Sequence, residues 1–69
     1  MAENRLKEYR ERRGLSQVEL ARIAGVAGSN LNAIERGRLQ PWLKIKKRLA
    51  KALRCEEEEL FPKNGTNGS

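Results

Sequence analysis

The chain of 69 residues contains no histidine and a single cysteine, Cys55. Without histidine, and with one thiol, it can form neither an intramolecular disulfide nor a cysteine- and histidine-rich zinc site. No metal or other cofactor is therefore expected. One thiol also suits a reducing compartment, so a cytoplasmic location is expected. No apolar run approaches the roughly 20 residues that span a bilayer. No signal peptide is visible, because residues 1–13 are charged almost throughout. No internal repeat recurs at a fixed period, and no segment alternates with period two over the length of a strand. An enzyme is disfavoured as well, since no nucleophile–base pair is evident.

What is present is positive charge. Fifteen Lys and Arg against nine acidic residues give a net charge of +6 and an isoelectric point near 10.1. Such a balance on one small domain favours a polyanionic partner, either nucleic acid or an anionic membrane surface. The alternative is a solvated basic surface with no partner. A chain of this length holds one domain with a small core, so every element must be locally consistent.

The apolar spacing predicts five short helices. The first covers roughly residues 4–13, with Leu6, Tyr9 and Arg10 on one face, and Gly14 ends it. The second opens on Ser16 with Glu19 three residues later, a capping box. Leu15 and Leu20 flank that box as a hydrophobic staple, and Leu20, Ile23 and Ala24 form the apolar stripe. Gly25 ends this helix. The third spans about 28–36, with Leu31 and Ile34 inward and Gly37 closing it. Ala27 stands where a serine or threonine cap would help. Pro41 suits the first turn of the fourth helix. There Trp42, Ile45, Leu49, Ala50 and Leu53 make one apolar face, and Lys44, Lys46, Lys47, Arg48 and Lys51 cover the other. Trp42 is expected in or partly in the core. The fifth covers about 56–61, with four glutamates at the favourable end of its dipole, and Pro62 stops it. The expected fold is an all-α, compact bundle of five short helices. Residues 1–62 form the domain, and 63–69 form a disordered Gly/Asn/Ser-rich tail.

Residues 17–36 carry the functional signal. Two helices of about two turns meet at Gly25-Val26-Ala27, the geometry of a tight corner. Ala21 is small where the helices cross, Gly25 suits a positive φ, and Leu20, Val26, Leu31 and Ile34 close the corner against the first helix.

These markers, together with Gly14-Leu15-Ser16-Gln17, Ile34-Glu35-Arg36-Gly37 and Pro41, resemble the phage-repressor (Cro/repressor-type) helix-turn-helix family. The resemblance runs from about residue 4 to 61 and implies a lambda-repressor-like fold that binds double-stranded DNA. It places the third helix in the major groove and the second across the backbone. It implies phosphate contacts from Gln17, Arg36 and Arg38, with Lys44 adding attraction from the fourth helix. The lesser alternatives are that Gln17 is an ordinary first-turn residue and that the arginines serve solubility alone. Base-reading positions fall at Gly28, Ser29, Asn30, Asn32 and Ala33. No Arg, Lys or Gln stands there, so Asn32, pairing bidentately with adenine, is the best-placed reader. Ser29 could bond a base or phosphate, and Ala33 could touch a thymine methyl. Asn30 and Asn32 could also be plain surface residues, with DNA shape supplying specificity. Arg10 and Glu35 match a buried ion pair of structural role.

Two features depart from the family. Arg54 and Glu56 replace the usual glycine and Ser/Thr cap before the last helix. Cys55 stands where a buried aliphatic is common, so it reads as a small hydrophobe. The leading expectation is a homodimeric transcriptional repressor with no small-molecule ligand. The alternative is an antitoxin or protein-interaction module that silences a partner, although the 63–69 tail is short for wrapping one. Membrane binding through the basic fourth helix is set aside, because its apolar face is needed for the core.

Overall fold

The computed structural model describes residues 4–62. The expected tail at 63–69 lies outside the described residues. The helices are α1 (Leu6–Arg12), α2 (Gln17–Ala24), α3 (Gly28–Glu35), α4 (Leu43–Leu53) and α5 (Glu57–Leu60). No strand occurs among the described residues, and none of their helices is long and apolar enough to cross a membrane.

The core is built from one or two side chains per turn of each helix. Leu6, Leu20, Leu31, Ile34, Leu49, Leu53 and Leu60 are fully enclosed. Tyr9, Ala21, Ala24, Val26, Ile45 and Ala50 complete the cluster. Burying each large aliphatic side chain is worth roughly 1.5–3 kcal/mol. In so small a domain each is a large share of the total. The heaviest packing is of α2 on α3, α2 on α4 and α4 on α5, so α2 is the platform from which α3 is presented.

Helix starts follow their side chains. Ser16 Oγ accepts from the Glu19 N–H at 3.1 Å, and Glu19 Oε1 accepts from the Ser16 N–H at 2.8 Å, the expected capping box. The Asn4 carboxamide ties the start of α1 to the end of α3. Its Oδ1 accepts from the Leu6 N–H, and its Nδ2 donates to the Ile34 carbonyl. Ala27 gives α3 no side-chain cap.

The ends of α1 to α4 share one device. In each, an N–H two or three residues past the last helical residue reaches back five residues, and the residue before it takes a left-handed conformation. The four reaching bonds are Leu15 to Arg10, Val26 to Ala21, Arg38 to Ala33 and Cys55 to Ala50. Gly14, Gly25 and Gly37 supply the positive φ in three of them. Arg54 supplies it in the fourth, at φ 56°. Arginine therefore bears at α4 the steric load that glycine avoids elsewhere. Glu56 replaces the missing cap by forming a second capping box with Glu59.

Three expectations need correction. Trp42 is 51% exposed and is no part of the core; Pro41 is the buried residue at that point, ahead of α4 and outside its first turn. Ile23 is 58% exposed. A two-turn helix has room for one buried stripe, and Leu20, Ala21 and Ala24 fill it. The first helix is also shorter at its start than expected, because Asn4 acts outside it as a cap.

Candidate nucleic-acid interface

The foundation of the site is buried charge. Arg10 of α1 meets Glu35 of α3 in a two-pronged ion pair, Nε to Oε2 at 2.7 Å and Nη2 to Oε1 at 3.2 Å. The two side chains are only 10% and 4% exposed. Arg10 Nη1 also donates to the Leu15 carbonyl at 2.8 Å. The carboxylate and this burial act in opposite directions on the guanidinium, and the hydrogen bond prevails: the Arg10 pKa is raised above its ordinary value. The pair fixes the rotation of α3 about its own axis, because Glu35 can face Arg10 only if the opposite face of the helix points outward.

That outward face carries the candidate readers. Leu31, Ile34 and Glu35 point in, while Gly28 and Ser29 are exposed and Asn30, Asn32 and Ala33 are half-buried. A Cβ added at Gly28 would meet nothing within 4 Å, so the backbone there is open to close approach. Positions 28, 29, 32, 33 and 36 are spaced by three and four residues and share one strip of the helix.

Gln17, Asn32 and Arg36 are drawn together into a chain of hydrogen bonds on the ion pair. Gln17 Nε2 donates to Glu35 Oε1 at 3.0 Å and, more weakly, to Asn32 Oδ1 at 3.4 Å. Arg36 Nε donates to the same Asn32 Oδ1 at 3.2 Å. The sequence pattern marks each of these residues, but not their linkage; the i, i+4 spacing of Asn32 and Arg36 was the available signal. Arg38 and Lys44 are exposed, and among the described residues neither is hydrogen-bonded through its side chain to this cluster.

A further support escaped the sequence reading. Arg48 of α4 donates from Nη1 to the Gly25 carbonyl at 3.1 Å. A cation at the C-terminal end of α2 meets the negative pole of that helix and clamps the corner leading into α3. Arg13 does the same for α4 through the Leu53 carbonyl.

The electrostatics are lopsided along the chain. Residues 28–54 hold eight Lys and Arg against one carboxylate, Glu35, for a net of +7, and Glu35 is neutralised internally. Four of the nine glutamates sit at 56–59, on a helix that packs chiefly on α4. Cys55 is half-buried against the core. Burial, then the nearby Glu59 carboxylate, pushes its thiol pKa up, away from thiolate reactivity.

A helix-turn-helix domain model matches residues 4–61. The chain belongs to the helix-turn-helix domain family. An uncharacterized HTH-type transcriptional regulator of Methanocaldococcus jannaschii is 38% identical over 58 residues, covering 84% of this chain and 88% of the relative. The uncharacterized HTH-type transcriptional regulator YgzD of Bacillus subtilis is 36% identical with the same coverage. Among solved structures, the restriction-modification controller protein C.AhdI of Aeromonas hydrophila superposes with a TM-score of 0.79 at 42% identity, over 83% of this chain and 86% of that one. A SinR/SinI protein complex gives 0.83 at 34%, over 100% and 69%. The corner formed by α2 and α3 is thus the helix-turn-helix of a family member. The five-helix arrangement agrees with the all-α expectation.

Proposed function

We propose that the protein is a sequence-specific, double-stranded DNA-binding transcriptional regulator that acts in the cytoplasm as a homodimeric repressor, with no enzymatic role. The observation that carries this reading is the outward strip of α3, a row of small and polar side chains held in register by a buried ion pair and followed directly by cations. In this reading α3 enters the major groove. The α2 N-terminus meets the backbone, where the Gln17 and Val18 N–H groups lie ahead of the first intrahelical bonds. Arg36, Arg38 and Lys44 contact phosphates, while Gly28, Ser29, Asn30, Asn32 and Ala33 face the bases. A long dimension of 33 Å suits one copy per half-site, with half-sites about 34 Å apart.

Selection of bound duplexes from a random pool at near-physiological salt tests this. The expected product is a motif with two-fold symmetry. Recovery of no enriched motif rejects the regulator reading.

A second reading, a module that silences a partner protein, is favoured by one observation. Val18, Ile23, Trp42 and Leu43 are large apolar side chains, each more than half exposed. It predicts retention of a partner protein at salt concentrations that abolish DNA binding.

A further inference from the structure

Adenine recognition by an asparagine needs both ends of the carboxamide. The oxygen must accept from the adenine N6 amino group while the nitrogen donates to N7. In this protein the oxygen of Asn32 is already occupied. Arg36 Nε and Gln17 Nε2 both donate to Oδ1, and a carbonyl oxygen has two lone pairs.

The orientation of the two amides follows from their neighbours. A guanidinium has only donors, so the Asn32 atom facing Arg36 is the oxygen. The Glu35 carboxylate, paired to Arg10, accepts, so the Gln17 atom facing it at 3.0 Å is the nitrogen. That same nitrogen, facing Asn32, again requires oxygen there. The network joining Arg10, Glu35, Gln17, Asn32 and Arg36 therefore has one consistent assignment of donors and acceptors, and it leaves Asn32 Nδ2 as the atom not engaged by it.

We propose that Asn32 reads one base position as a hydrogen-bond donor only, and that the base it selects is guanine. Guanine presents two acceptors, O6 and N7, on its major-groove edge. Adenine places a donor beside its N7, and thymine places a methyl group beside its single acceptor. The proposal rests on α3 facing the bases, and it replaces the adenine pairing that the residue type alone suggests. Gln17 and Arg36 act here as positioning residues, fixing the amide before DNA arrives and reducing the ordering cost at binding.

The test repeats the random-duplex selection with wild type, Asn32→Asp and Asn32→Ala, after thermal melts show that each is folded. Aspartate keeps an oxygen for Arg36 and Gln17 but turns the remaining atom from donor to acceptor. One G·C position in the wild-type motif, preferred roughly three- to tenfold as befits a single hydrogen bond, is expected to lose its preference in Asn32→Ala. In Asn32→Asp it changes to a pair whose facing base offers a donor. The readout is the base ratio at that position, which the added negative charge does not set. If the position that responds is A·T in the wild-type motif, or if no position responds in either variant, the assignment is overturned while DNA reading stands. If wild type enriches no motif at all, the regulator reading falls with it.

Discussion

Replacing Arg10 by methionine tests how much of this small domain hangs on one contact. The substitution keeps much of the aliphatic stem and strands the Glu35 carboxylate, 4% exposed, with Gln17 as its remaining partner. Breaking a buried pair from one side typically costs 3–5 kcal/mol. A domain of this length has roughly 3–10 kcal/mol in total, so the variant is expected to be barely folded at pH 7. Urea unfolding followed by far-UV circular dichroism at pH 7 measures it. The double variant Arg10→Met/Glu35→Leu removes both charges and is expected to recover most of the loss. A loss below about 1 kcal/mol at pH 7, or a double variant no better than the single one, would refute the view that this pair is what holds α3 in register.

Other expectations follow from single features. Arg54→Gly relieves the left-handed arginine at the end of α4 and should raise stability by about 1 kcal/mol, or 4–8 °C in Tm on the usual scaling for small domains. In acid, Glu19 is lowered chiefly by the Ser16 backbone N–H, Glu59 by that of Glu56 and then the Tyr9 hydroxyl, and Glu8 by Arg5. Lowered values mean stability that is complete above the ordinary glutamate range near 4.3 and lost as pH falls through the folded-state values. The urea midpoint should therefore drop below about pH 4, and Glu19→Gln, which can keep the capping box, should flatten the drop. For DNA binding, three cations per copy at Arg36, Arg38 and Lys44, doubled in a dimer, predict a slope of about −5 in log K against log salt. Removing any one of them from both copies should lower its magnitude by about 2.

The scaffold was legible because its signals are local. Ser16 with Glu19, the glycines after three helices, and the three- and four-residue spacing of Leu31, Ile34 and Glu35 each report on neighbours within one or two turns. Trp42 misled because spacing assigns a face without saying where the helix begins. Pro41 fills the core at that point, so α4 starts only at Leu43 and leaves the indole outside. Ile23 misled because a helix of eight residues exposes more of its circumference than its composition suggests. In the candidate interface the residue types were readable, but the amide orientations were not. Gln17, Asn32 and Glu35 are separated by up to 18 positions, and only the fold shows that Asn32 has already spent its oxygen. The reach of Arg48 to Gly25 is equally non-local, spanning 23 positions.

If the strip of α3 discriminates among DNA sequences, competition binding at near-physiological salt between the selected duplex and a scrambled duplex of the same length and composition will show it. The expected ratio of dissociation constants is about a thousand or more in favour of the selected sequence. A ratio near one, with both duplexes losing affinity together as salt rises, would show a protein that holds DNA by charge alone and would contradict that discrimination.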